Sequence, residues 1–156
     1  MTITGGCQCG AVRYRVNGKV GETAICHCRM CQKAVGSVIW PFFTVQRDDL
    51  EWSRVEPKRW RSSNSAQRGF CPDCGTPLIF EPDGKETIDL SIGSLDDPAI
   101  LAPTHHVWSQ NMVRWFDELP KLRRTEETET PQQAAQRRSH QHPDHPTDDG
   151  EGWPKG

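Results

Sequence analysis

The seven cysteines of this 156-residue chain fall into three short clusters, and their thiolates are the side chains best suited to metal chemistry. The clusters lie within residues 7–9, 26–31 and 71–74. A structural zinc site takes four ligands in a tetrahedron, whereas a catalytic zinc site keeps one position open. Seven cysteines therefore predict one closed site with four ligands and one open site with three.

Disulfides are the main alternative for clustered cysteines, but three features argue against them. The count is odd, and cysteines one or two residues apart are badly placed to bridge each other. Residues 1–6 lack the basic and apolar regions of a secretory signal, which favours a reducing, cytoplasmic compartment. All-thiolate sites suit zinc, copper(I) or iron–sulfur clusters, and we expect zinc, with an iron–sulfur cluster as its main rival.

Two of the clusters have the spacing expected of a shared, closed site. Cys7 and Cys9 are two residues apart, so on a strand both sulfurs would point to the same face. Cys71 and Cys74 flank a turn followed by Gly75, which is typical of a zinc knuckle because glycine lets the backbone turn back towards the sulfurs. Together the two pairs predict a structural zinc site that ties the N-terminal strand to a distant hairpin.

The remaining cysteines, Cys26, Cys28 and Cys31, form a local set within one short loop. Three ligands leave a fourth position for water, substrate or another side chain. The alternative is a closed site in which His27 or His106 is the fourth ligand, since histidine is a normal partner of zinc.

Short strands must position these clusters. Residues 12–16 alternate between apolar and polar side chains, as half-buried strands do. Further strands are predicted over residues 22–26, 38–45, 51–54, 58–62, 67–70, 77–81, 87–92 and 105–108. Residues 29–35 predict a short helix ended by Gly36, and Pro41 predicts an edge or a bulge in its strand. Such regularly spaced short strands indicate an all-β domain.

Composition sets the extent of this domain. Only 34% of the residues are hydrophobic, and beyond residue 123 the chain is polar, with Trp153 as its one large apolar side chain. Such a segment cannot bury enough surface to offset its ordering entropy, so we predict a domain over residues 1–123 and a disordered tail over 124–156. The net charge of −2 argues against a nucleic-acid partner. No apolar stretch of about 18 residues occurs, so no membrane span is expected.

Several runs resemble the glutathione-dependent formaldehyde-activating family, also called the GFA or centromere-protein-V domain. The matching runs are residues 6–10, 26–31 with Gly36 and Ser37, 70–78, 93–98, and 103–108 with Trp115. The likeness extends over about residues 4–120. It implies an all-β tent of short, stacked antiparallel sheets and two zinc ions per chain. It also implies the same division of cysteines, with the four-cysteine site structural and the three-cysteine site at the active centre.

The resemblance further implies an activity, the reversible condensation of formaldehyde with glutathione to S-(hydroxymethyl)glutathione. We therefore expect a carbon–sulfur lyase acting on a small thiol and an aldehyde. His106 matches the family's histidine in a Pro-x-x-His pattern and is the predicted catalytic residue. Five basic residues are candidates to contact the carboxylates of glutathione: Arg29, Lys33, Arg59, Arg61 and Arg68. The alternative is a non-enzymatic, zinc-stabilised protein-interaction module, which a closed second site would favour.

Overall fold

The computed structural model describes residues 2–126 and 128–147, and most of its regular structure is β-strand. The strands are β1 (Ile3–Gly6), β2 (Arg13–Val16), β3 (Thr23–Cys26), β4 (Trp40–Gln46), β5 (Leu50–Trp52), β6 (Lys58–Ser63), β7 (Ala66–Phe70), β8 (Pro77–Pro82), β9 (Thr87–Ser91) and β10 (His105–Val107). Two short α-helices, α1 (Arg29–Val35) and α2 (Pro131–Gln136), accompany them. The prediction of an all-β fold is confirmed. Within the described ranges, neither helix has the length and apolar character needed to cross a bilayer.

The described strands form two sheets. One has three strands in the order β1-β2-β5, and the other has seven in the order β10-β3-β4-β9-β8-β7-β6. The neighbouring strands are antiparallel, as predicted, except for β3 and β10, which run parallel. Pro41 is predicted to lie at an edge or a bulge, and it has an edge-like position although β4 is an internal strand. Strand β9 pairs with β4 only from Phe42 onward, so β3 is the one described strand that pairs at Pro41.

Side chains on the two faces of the seven-stranded sheet enter different cores. Phe42 and Phe43 are consecutive in β4 and therefore point to opposite faces. Phe43 packs with Tyr14 of β2 in the main core, which lies between the two sheets. Phe42 packs with Cys26 in a smaller cluster on the outer face. Full burial of such an aromatic side chain contributes about 1.5–3 kcal/mol.

Helix α1 begins and ends where the sequence predicts. Cys28 is its N-cap, and its sulfur accepts a hydrogen bond from the backbone N–H of Cys31. Gly36 ends the helix in the left-handed conformation, with φ of 65°, and its N–H donates to the carbonyl of Gln32. The cap therefore fixes two of the clustered cysteines relative to each other.

The described part of the predicted tail is exposed over residues 128–141, but the segment that follows docks on the domain. His142 is 3% exposed, and its backbone N–H donates to the carbonyl of Gln8 at 2.7 Å. Arg54 donates to the hydroxyl of Thr147 at 2.9 Å. The domain boundary at residue 123 stays a prediction. Predictions about Met1, residue 127 and residues 148–156, including Trp153, lie outside the described residues.

Candidate metal centres

The structure brings the four predicted structural cysteines, Cys7, Cys9, Cys71 and Cys74, to one place. Their sulfurs all lie within 4.8 Å of one another. The sulfurs of Cys7 and Cys9 are 3.6 Å apart, and those of Cys9 and Cys71 are 3.8 Å apart. Both distances are far longer than a disulfide bond. A tetrahedron with zinc–sulfur bonds of about 2.3 Å has edges of about 3.8 Å, so the spacing fits a bound zinc ion.

Each pair of these cysteines lies on a turn of the same design. The N–H of Gly10 donates to the carbonyl of Cys7 at 3.1 Å, and that of Gly75 donates to the carbonyl of Cys71 at 3.0 Å. Both glycines are left-handed, with φ of 77° and 76°. The prediction that Cys7 lies on a strand is wrong, because β1 ends at Gly6 and a knuckle-type turn follows. A left-handed glycine reverses the chain sharply enough to aim both sulfurs at one point.

The four crowded cysteine sulfurs favour the binding of a metal cation. Burial is the largest effect on Cys7 and raises its pKa, the backbone N–H of Val12 lowers it, and the thiols of Cys71 and Cys9 raise it. A divalent metal supplies the positive charge that crowded thiolates require. Thr76 links the two turns, since its hydroxyl accepts from the N–H of Gln8 at 3.1 Å and lies 3.1 Å from the sulfur of Cys74.

The second group comprises Cys26, Cys28 and Cys31, whose sulfurs also lie within 4.8 Å of one another. Cys26 is the last residue of β3, and the other two lie at the start of α1. Cys26 and Cys31 are each 5% exposed, whereas Cys28 is half-buried. Among the described residues, no histidine or carboxylate joins this group. The arrangement therefore offers a metal three cysteine ligands.

His106 and His27 lie together, away from these sulfurs. The register of the parallel pair places Val107 beside Cys26 and His106 beside Ile25, so His106 points to the opposite face. Its Nδ1 lies 2.8 Å from Nε2 of His27. Phe116 packs edge-on against both rings. The catalytic role of His106 stays a prediction, and the structure gives it contact with another histidine rather than with the cysteines.

His27 is the more deeply buried of the two histidines. It is 0% exposed, and its Nδ1 has no hydrogen-bond partner among the described residues. Burial, and then the nearby charge of His106, lowers the pKa of His27. A neutral ring that donates from Nε2 to His106 leaves an acceptor unpaired rather than a donor, which is the less costly arrangement.

Of the five basic candidates, Arg68 is the one that contacts a cysteine. Its Nη2 donates to the sulfur of Cys31 at 3.2 Å. The guanidinium lies 4.8 Å from the ring centre of Phe80 and 5.7 Å from that of Trp40. By contrast, Arg59 contacts Glu81 and Glu56, and Arg61 contacts Asp83. Sequence reasoning did not separate Arg68 from the other four; the available signal was its place on a predicted strand shortly before a metal-binding turn.

A small pocket borders Arg68. It encloses about 120 Å³, below the range of about 300–1,000 Å³ for sites that bury a drug-sized ligand. Its lining includes Trp40, Trp60, Arg68, Phe70 and residues of α1. The pocket has room for a small group rather than for a whole tripeptide such as glutathione.

Comparison with known proteins identifies the family. Residues 2–111 match the family described as glutathione-dependent formaldehyde-activating enzyme. This match covers well over half of the chain, so the protein belongs to that family and the resemblance is confirmed.

Two further similarities are to individual proteins. An uncharacterised lyase of Schizosaccharomyces pombe is 30% identical over 76 residues, covering 49% of this chain and 55% of the relative, so the chain spans about half of its length. A crystal structure of a Rhodobacter sphaeroides protein has a TM-score of 0.52 and 24% identity, covering 67% of this chain and 99% of that one. The second similarity supports the fold alone.

Proposed function

We propose that the protein is a zinc-dependent carbon–sulfur lyase that joins and cleaves the adduct of a small thiol, such as glutathione, with an aldehyde, such as formaldehyde. The observation that carries this proposal is the group formed by Cys26, Cys28 and Cys31, which has no fourth ligand among the described residues. Family membership and the lyase name of the yeast relative support the reaction class.

Each cysteine group has its own part in this proposal. Cys7, Cys9, Cys71 and Cys74 would hold a structural zinc ion, and the three-cysteine group would hold the second. When bound there, zinc supplies a position at which an incoming thiol is held as a thiolate. The three cysteine thiolates already exceed the charge of the ion, so thiol capture is favoured over polarisation of the aldehyde.

The reaction itself is redox-neutral. The thiolate sulfur attacks the aldehyde carbon, a carbon–sulfur bond forms, and the carbonyl electron pair moves to oxygen, which takes up a proton. Cleavage reverses each step. We propose His106 as the group that carries this proton, since the residue is exposed and an imidazole nitrogen can both accept and donate a proton.

The alternative, a zinc-stabilised protein-interaction module, is favoured by a different observation. Trp108 is 59% exposed and Trp115 is 50% exposed. Trp108 also has a φ of 56°, a left-handed conformation that bulky residues seldom adopt. Exposed aromatic side chains of this kind are common at protein interfaces.

Calorimetric titration of the zinc-loaded protein with glutathione, in buffers of different ionisation heat, tests the lyase proposal. We expect binding with release of about one proton, because a thiol with a pKa near 8.5 binds as its thiolate. Cys28→Ser should abolish binding. His106→Ala should slow turnover more than it weakens binding, whereas the neighbouring His105→Ala, a matched control, should change neither. No binding, or binding without proton release, would favour the interaction module.

A further inference from the structure

We propose that Arg68 is a positioning residue that adapts the three-cysteine site to an anionic fourth ligand, the substrate thiolate, through its contact with Cys31. This inference rests on the proposed function and concerns how the same site selects its ligand. The contact joins residues 37 positions apart, with Nη2 3.2 Å from the sulfur.

Charge counting shows why such a residue is needed. A divalent ion with three thiolates has a net charge of −1, and a fourth thiolate makes it −2. Negative charge is costly to hold where Cys26 and Cys31 are each 5% exposed. A guanidinium hydrogen-bonded to one of the ligand sulfurs offsets one unit of that charge, and it does so most effectively for an anionic ligand.

The packing of Arg68 fixes its charge in this position. The residue is 7% exposed. Its guanidinium lies near the rings of Phe80 and Trp40, in the range of cation–π contacts. Arg68 and Phe80 are also direct partners in the β7–β8 register, so both side chains stand on the outer face with the cysteines.

A second buried arginine, Arg13, has the carboxylate partner that Arg68 lacks. Arg13 is 6% exposed and makes two hydrogen bonds to Asp96, at 2.8 and 2.6 Å. Among the described residues, Arg68 forms no ion pair with a carboxylate. The oxygen of nearby Asp89 accepts instead from the hydroxyl of Thr44 at 2.6 Å. A buried guanidinium without a paired carboxylate needs another anion, and the Cys31 sulfur in contact with it would be that anion when the three cysteines hold a metal.

The test compares an anionic with a neutral ligand on zinc-loaded and cobalt-substituted full-length protein. The anionic probe is 2-mercaptoethanol, which lacks carboxylates and so removes any direct contact of Arg68 with glutathione. The neutral probe is imidazole. In Arg68→Met we expect the affinity for 2-mercaptoethanol to fall about tenfold or more, and that for imidazole less than about threefold. The cobalt absorption spectrum reports whether each probe enters the coordination sphere.

Three further variants separate charge from structure. Arg68→Gln keeps an N–H donor without the charge and should lose thiol preference as Arg68→Met does. Arg68→Lys keeps the charge and should retain a thiol-to-imidazole affinity ratio within about threefold of the wild type. Arg59→Met, which removes a neighbouring arginine paired with Glu81, should leave both affinities unchanged.

Each outcome decides the proposal. Equal losses for thiol and imidazole, or unchanged thiol affinity in the neutral variants, would overturn it. If neither neutral variant folds by circular dichroism, the lysine variant decides alone through its affinity ratio. Failure of 2-mercaptoethanol to bind the wild type would instead contradict the proposed function, so the two failures are distinguishable.

Discussion

The four-cysteine site joins two turns that are distant in the chain, whereas the three-cysteine site is contained within the end of β3 and the start of α1. Cys9 and Cys71, in sulfur–sulfur contact at the first site, are 62 positions apart. The second site has all its ligands within residues 26–31. A metal at the first site restricts a large part of the unfolded chain, and a metal at the second restricts a short loop. The same donor atom can therefore stabilise a fold in one place and leave room for chemistry in another.

Buried charge separates the two regions as well. The three-stranded side has the paired Arg13 and Asp96. The outer face of the seven-stranded sheet has Arg68 on a cysteine sulfur and Asp89 on a hydroxyl. In the Arg13–Asp96 pair the two charges balance each other permanently. The Arg68 cation, which contacts a cysteine sulfur, suits a site whose net charge changes when substrate binds.

The largest expected effect separates the two sites by stability. Cys71→Ser should unfold the domain, because structural zinc contributes about 10–16 kcal/mol in small peptides and whole domains have a net stability of about 5–15 kcal/mol. Cys28→Ser should leave the domain folded. Thermal unfolding followed by circular dichroism, with zinc content measured in parallel, distinguishes the two variants.

The wild type provides the control for this comparison and should contain two zinc ions per chain. Similar losses of melting temperature in both variants would show that both sites are structural. One zinc ion per chain, or iron in place of zinc, would contradict the two-site assignment itself.

A smaller effect should follow from the half-buried carboxylate of Asp89 on the outer face. The pKa of Asp89 is raised from 3.8 to about 6; burial is the main cause and the charge of Glu22 adds to it, whereas the hydrogen bond from Thr44 and the charge of Arg68 act in the opposite direction. The folded state therefore binds the proton more tightly than the unfolded chain. That stability is present below pH 3.8 and is lost as the pH rises through about 6.

Asp89→Asn should remove the free-energy cost of ionising Asp89 in the folded protein at neutral pH. We expect the free energy of unfolding to rise by up to about 3 kcal/mol at pH 7.5 and by about half as much at pH 5, measured by urea denaturation. Taking the difference from the wild type cancels the loss of zinc that both proteins undergo in acid. The matched control is Asp83→Asn, since Arg61 lowers the pKa of that exposed residue, and its stability should not rise. A gain independent of pH would refute the assignment to Asp89 ionisation.

The smallest expected effect concerns the docked segment of the tail, whose contacts with Gln8 and Arg54 lie on the side of the four-cysteine site. Truncation after residue 139 removes the contacts of His142 with Gln8 and of Thr147 with Arg54. We expect a loss of about 1–2 kcal/mol in stability and unchanged thiol binding at the other site. Truncation after residue 147 keeps both contacts, so it should cost less stability than truncation after residue 139. An equal loss of stability in both truncations would show that residues 142–147 do not stabilise the domain.

Local features of the structure could be predicted from the sequence, and distant contacts could not. The helix 29–35 with Gly36 and most strands lie within a residue or two of prediction, because periodicity and capping act over a few residues. The division of the cysteines into groups of four and three was also predictable, since zinc sites use four protein ligands or three with an open position.

The unpredicted contacts depend on strand order and register. The parallel pairing of β10 with β3 decides that Val107 rather than His106 faces Cys26, and no local pattern encodes that register. The contact of Arg68 with Cys31 likewise depends on which face of β7 the arginine occupies and on what packs there. Docking of His142 depends on a backbone hydrogen bond, which side-chain identity does not reveal.

The parallel pairing of β10 with β3 also has a consequence for synthesis on the ribosome. The last ligand of the four-cysteine site, Cys74, emerges before His105–Val107, the residues that form β10. At roughly 5–20 residues per second, β3 remains an unpaired edge for a time on the order of seconds after that site can close. During that interval the nascent chain exposes a free strand edge that ends in Cys26, and it is then most vulnerable to pairing with another chain.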